Sequence, residues 1–232
     1  MDQTPTKFTR VRRKAERGAY ERETIYAILD AAPFCHVGHV VAGRPVVIPT
    51  LHWRVGNMLY WHGNAASRML EANAAGGEVC LTVSLFDGWV MARSGFNHSA
   101  NYRSVMCFGI PRAITEPAEK EAALKDFIEG RFPGRWARLR PPRRQEMKAT
   151  LVLVMPIEET SAKVRSGWPH DDPGDETWPV WAGVLPVALA SAPPERAPDM
   201  PAHLDLPPPY FTLPVTKALS APRWGHDGRR GR

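Results

Sequence analysis

The segment His62-Gly63-Asn64-Ala65-Ala66-Ser67-Arg68 has the residue types and spacing to hold an anion. The run Met58 to Trp61 reads as a strand, and Ala65 to Leu70 has helical composition. A strand that passes through glycine into a helix start leaves backbone N–H groups facing one way. A hydroxyl and a guanidinium in the first turn, Ser67 and Arg68, would add donors and charge, a combination suited to phosphate. A capped helix with a surface arginine shows the same local pattern. His62, at the mouth of the turn, is either a packed core histidine or a donor to phosphate or a substrate anion. A phosphate beside it would favour the imidazolium and raise its pKa.

Other chemistries find less support. His36 and His39 are three apart on a strand-like run and point to opposite faces. His52, His62 and His98 could meet only through tertiary structure, and neither HExxH nor a Cys/His pair points to a metal. Ser94, Ser99 and Ser104 lack a GxSxG context, and no Gly-rich dinucleotide or P-loop pattern occurs. Cys35, Cys80 and Cys107 stand singly in apolar runs, which suggests a reducing compartment and gives no zinc spacing. Trp61, Trp89, Trp178 and Trp181 suit a core or an interface, and near a phosphate they would also suit a flat heterocycle.

The elements that must position these groups are mostly short strands. Glu21 to Ala32 reads as an amphipathic helix ended by Pro33. Strands follow at Phe34 to Val41 and from Pro45 through Val55. Gly56-Asn57 turns the second into Met58 to Trp61, a hairpin. Glu78 to Phe86 is a strand, with Asp87-Gly88 read as a hairpin turn into Trp89 to Ser94. Tyr102 to Ile114 follows, bent near Gly109 and Pro111. Glu116-Pro117 opens a helix that ends at Gly130. A basic, proline-containing connection spans 131–147, and Ala149 to Ile157 is the longest apolar strand, extended by Ser161 to Val164. Six or seven strands, mostly joined by short turns and interrupted by two helices, predict an antiparallel β-barrel with helices outside. The chain divides into an arm over 1–20, a barrel domain over 21–190 and a proline-rich tail over 191–232.

Of the 232 residues, 44 % are hydrophobic and 23 % charged, ordinary for a globular protein. No apolar run approaches the ~18 residues of a membrane span, and the basic N-terminus lacks the apolar stretch of a secretory signal. A cytoplasmic protein without a membrane partner is expected. The net charge of +6 gathers at both ends and in Arg131, Arg135, Arg138, Arg140, Arg143 and Arg144. No nucleic-acid-binding motif accompanies it, so solvated termini are the reading, and such charge would equally attract a small anion.

The strings PVVIPTLHW, LYWHGNAASRML, VCLTVSLFDGWVMARSGFNHSANYRSVMCFG, SAKVR and PVWAGV resemble the pyridoxamine 5′-phosphate oxidase-like flavoproteins over about residues 15–190. The branch they resemble is related to nitroimidazole reductases. The resemblance implies a split β-barrel, a homodimer, and FMN held between subunits for oxidoreduction of a small molecule. It matches Pro49, Thr50 and Leu51 to the strand beside the flavin ring, and His62, Ser67 and Arg68 to the phosphate turn. Arg103 and Ser104 match a later strand that reaches the flavin, and Trp181 matches the partner's aromatic. Met69 stands where the oxidase has lysine, and no counterpart of its C-terminal substrate arginine is clear; the implied activity is flavin reductase- or nitroreductase-like, or pyridoxamine phosphate oxidase-like. The same barrel also serves non-catalytic flavin- or haem-binding proteins and deazaflavin-dependent reductases.

Overall fold

The computed structural model describes residues 4–201, 203 and 204. Most of the proline-rich tail, including Arg223, Arg229, Arg230 and Arg232, lies outside them. The strands are β1 (Gly18–Ala19), β2 (Phe34–Val41), β3 (Arg44–Val55), β4 (Met58–Asn64), β5 (Val79–Met91), β6 (Ser99–Gly109), β7 (Arg112–Ala113), β8 (Thr150–Pro156), β9 (Glu159–Arg165) and β10 (Gly183–Pro186). The α-helices are α1 (Arg22–Ala31), α2 (Arg68–Ala74), α3 (Pro117–Arg131) and α4 (Arg144–Ala149).

All strand pairs are antiparallel, in the order β1-β9-β6-β5-β2-β3-β4-β8-β7, with β10 added beside β5. The long strand β3 joins the two halves of this split barrel. Its residues 44–51 pair with β2, and 52–55 pair with β4. The β3–β4 turn has two residues and positive φ at Gly56 (57°), where glycine meets no steric penalty.

Period-two alternation fills the barrel. Leu59 and Trp61 from β4, Leu81 and Val83 from β5, Val105 and Cys107 from β6, and Leu153 and Met155 from β8 enclose one core. Helix α1 presses Ile25, Ile28 and Leu29 into it, each essentially fully buried, as its i, i+3, i+4 spacing predicts. A second, smaller core lies outside β4 and β8, where Ala123, Leu124 and Phe127 of α3 cover Trp53, Val152 and Val154.

Three readings change. Asp87-Gly88 is no hairpin turn, because β5 runs through it as one strand with a bulge between Phe86 and Gly88. A glycine with φ of 149° serves a bulge as well as a turn, and the partner strands β6 and β10 decide which. Ser161–Val164 does not extend the preceding strand. β8 pairs with β4 and β7, whereas β9 pairs with β6 and β1 on the other half. The 131–147 connection carries a 3-10 turn at Trp136–Arg138 and the start of α4, where the Glu146 carboxylate accepts from the Arg143 backbone N–H (2.8 Å).

Candidate functional site

Ser67 and Arg68 stand where β4 passes into α2. Asn64 closes the turn: its backbone carbonyl accepts from the Ser67 N–H (2.9 Å) and its side-chain oxygen from the Ala66 N–H (2.9 Å). Met69 and Leu70 are buried in the main core and anchor the helix start. Ser67 is the N-cap residue, yet its hydroxyl makes no capping bond. Arg68 is exposed and has no polar partner among the described residues. A hydroxyl and a guanidinium on a fixed support, both uncommitted, can bind an oxyanion without first breaking a contact.

Next to this turn, β3 has a strand on only one side over 44–51 among the described residues. One edge of the Pro49–Leu51 backbone is therefore open to a ligand with hydrogen-bonding atoms at its rim. The cross-strand register puts Pro49 and Leu51 on the outer face of the sheet, with His36, Thr82, Ser84, Ser104 and Met106. Thr50 turns inward opposite Cys35.

Adjacent residues of a strand point to opposite faces, so Arg103 and Ser104 separate. Ser104 stays on the outer face and lines a cavity of about 420 Å³ between the sheet and the N-terminal arm, with Ser84, Lys163, Arg10, Arg12 and Arg13. The cavity owes its cationic wall to the arm, which the sequence marked only as basic. Arg103 is 8 % exposed and makes a two-point pair with Asp87, Nε–Oδ2 2.8 Å and Nη2–Oδ1 2.6 Å. That guanidinium is committed to holding the bulge. Trp181 is 62 % exposed, near the turn into β10; a Cβ on Gly183 would lie 2.7 Å from its indole.

His62 has different surroundings from the turn that follows it. Alternation along β4 sends Trp61 into the barrel and His62 outward beneath α3, where its ring meets Trp53 (centroids 5.6 Å) and Phe127 (5.3 Å). Nδ1 is buried without a hydrogen-bond partner. Burial lowers its pKa, opposite to the rise expected beside a phosphate. The ring lines a cavity of about 410 Å³ with Leu124, Phe127, Trp136, Arg140 and Met147. Apart from the arginine cluster, no local pattern joins these residues, because α3 and the 131–147 connection meet β4 only in the fold.

Burial pushes Cys35 and Cys107 up to about 12 and also raises Cys80, so none is a ready thiolate at neutral pH. Among the described residues, no group of three His, Cys, Asp or Glu side chains could hold a metal ion. No described helix is long and apolar enough to cross a membrane.

A family model described as pyridoxamine 5′-phosphate oxidase matches residues 21–164, which contain β2 to β8, α2 and the whole Pro49–Arg68 region. The chain belongs to the pyridoxamine 5′-phosphate oxidase family. Two solved structures are similar to this family member over almost their whole length. The flavocytochrome Anf3 from Azotobacter vinelandii is 43 % identical, with TM-score 0.84 over 88 % of this chain and 95 % of that one. The FAD and heme binding protein from Mycobacterium smegmatis is 37 % identical, with TM-score 0.80 over 83 % and 94 %. A candidate 5-nitroimidazole antibiotic resistance protein from Bacteroides thetaiotaomicron shares the fold at 23 % identity and TM-score 0.53, over 62 % and 84 %. Among curated proteins no sequence matches.

Proposed function

We propose that this member of the pyridoxamine 5′-phosphate oxidase family is a homodimeric redox protein that binds a flavin and a haem and acts as an oxidoreductase. The observation that carries the reading is near-full-length similarity, at 43 % and 37 % identity, to a flavocytochrome and to an FAD- and haem-binding protein. The second of these favours FAD over the FMN expected from the sequence.

The residues present fit a flavin. Ser67 and Arg68 offer an uncommitted hydroxyl and guanidinium for a phosphate, and the open edge of Pro49–Leu51 offers backbone groups to the ring. Ser104 and the Arg10–Arg13 arm add donors on the same outer face, where a dinucleotide's second phosphate could be held. A bound flavin would supply hydride and single-electron chemistry, while the protein supplies position and electrostatics.

Six large apolar side chains stand exposed on that outer face: Phe34, Val47, Phe86, Trp89, Met106 and Leu185. Exposed apolar side chains gathered on one sheet face mark an interface. A second copy laid against it would cover the apolar side chains and close the flavin ring off from water, with Trp181 at its margin.

The test is the purified full chain: its visible spectrum, mass spectrometry of extracted cofactors, and reduction by dithionite and by NAD(P)H. Bound flavin with a haem Soret band, both responding to reductant, is the expected result. A colourless protein that takes up neither FAD, FMN nor hemin would overturn the proposal. Cofactors reduced by dithionite and untouched by any biological donor would leave a binding protein and remove the oxidoreductase.

A further inference from the structure

The cavity beneath α3 has a composition that a flavin phosphate site does not need. Its floor is His62, and its walls are the side chains of Leu124, Phe127, Ile128, Trp136, Leu139 and Met147. At about 410 Å³ it is within the size range of cofactor pockets, and it is mainly apolar. The imidazole in it is oriented by two aromatic rings, Trp53 and Phe127. Nδ1 is shut away from solvent, whereas Nε2 has no polar partner among the described residues. An imidazole held this way presents one nitrogen for coordination.

The segment that forms the outer wall is amphiphilic. Between Phe132 and Gln145 it brings Trp136 and Leu139 to the cavity and carries Arg135, Arg138, Arg140, Arg143 and Arg144, with no Asp or Glu. These arginines are exposed. Arg140, at the cavity itself, is bound to Glu146, with Nη1–Oε2 at 2.9 Å. The ligand that matches is apolar through its body, carries a metal that an imidazole can hold, and is anionic on the side of the arginines.

We infer that this cavity is the haem site, in which His62 Nε2 would hold the iron and the arginine-rich 132–145 segment would meet the acidic edge of the ligand. The inference rests on the haem-binding part of the proposed function and adds the place. It also gives each cofactor its own residues: flavin along Pro49–Leu51 with Ser67 and Arg68, and haem under α3 at His62, on the same outer side of the barrel next to the His52–Trp61 pair. His62 then has a role distinct from Ser67 and Arg68, although it is only five residues from Ser67. Burial favours the neutral imidazole, the form that coordinates iron.

Hemin titration of the full chain tests it, read by the Soret and visible bands and by low-temperature electron paramagnetic resonance. Wild type should bind one hemin per chain with a nitrogen-ligated spectrum. His62→Ala should lose that signature and bind at least about tenfold more weakly, and added imidazole should restore the wild-type spectrum, which a purely structural defect would not allow. Leu124→Trp, which fills the cavity without touching the ligand, should block hemin uptake, and far-ultraviolet circular dichroism checks that both variants are folded. If His62→Ala does not fold, Leu124→Trp and the wild-type ligand spectrum decide the matter. A wild type that binds no hemin would sink the haem reading as a whole. A wild type that binds, with unchanged spectra in His62→Ala or unimpeded uptake in Leu124→Trp, would leave that reading standing and place the haem elsewhere.

Discussion

Arg68 is a single charge on a rigid support with no competing partner, so in the proposed flavin complex its removal should be felt by the phosphate alone. A charge-assisted hydrogen bond is worth about 1.5–3 kcal/mol, so Arg68→Ala should weaken FAD or FMN binding roughly 10- to 150-fold. Riboflavin, which lacks phosphate, should be nearly indifferent, and equal losses for riboflavin and FMN in a fluorescence titration would move the phosphate away from Arg68. His52 makes a different residue-level prediction. It is buried against α1, its Nε2–H donates to the Leu29 carbonyl (2.9 Å), and its Nδ1 has no partner. A second proton would have nowhere to bond, and burial lowers the pKa from 6.5 to about 4. The unfolded chain therefore takes the proton first as pH falls. The contribution from neutral His52 is complete above pH 6.5 and is lost between 6.5 and about 4, up to roughly 3 kcal/mol. Urea unfolding of wild type and His52→Gln across that window should show the stability gap between them changing by this order. A constant gap would mean that His52 does not contribute to the acid lability.

At the scale of elements, the bulge in β5 controls how β10 is attached. Gly88 has φ of 149°, and a Cβ there would lie 2.6 Å from the Leu185 carbonyl oxygen of β10. Side chains rarely adopt that backbone conformation, and the obstruction is backbone that cannot rotate away. Gly88→Ala should cost about 1–3 kcal/mol and should detach β10, seen as faster amide exchange at Val184 and Val187. Unaltered exchange there would show that β10 is held by other contacts. Asp87 reinforces the same bulge through Arg103, so Asp87→Asn should loosen it in the same direction without the steric clash.

At the scale of the whole molecule, the exposed apolar face is the decisive feature. Val47 is 63 % exposed and Phe34 57 %, in the same sheet surface as Met106 and Trp89. A homodimer through this face predicts twice the chain mass by light scattering at micromolar concentration. Val47→Asp should dissociate it, because a carboxylate would be stranded in an apolar contact, and should weaken flavin binding at the same time. A monomeric wild type that retains its flavin would defeat the shared-site arrangement.

Local pattern alone was enough for α1, for the hairpin around Gly56-Asn57, for the strand at Phe34–Val41 and for the opening of α3 at Pro117, because helix spacing, turn glycines and β-branched runs act within a few residues. The turn that carries Ser67 and Arg68 into α2 was legible for the same reason. Contacts between distant segments decided the rest. Asp87-Gly88 became a bulge because β6 and β10 pair across it. Arg103 and Ser104 parted because one strand has two faces, and Asp87 claimed the arginine. His62 packs away from the Ser67–Arg68 turn because α3, some sixty residues later in the chain, supplied Phe127 to its outer side. Neither the register of β4 nor the docking of α3 has a local sequence signature; both follow from which arrangement buries Trp61 in one core and Trp53 in the other.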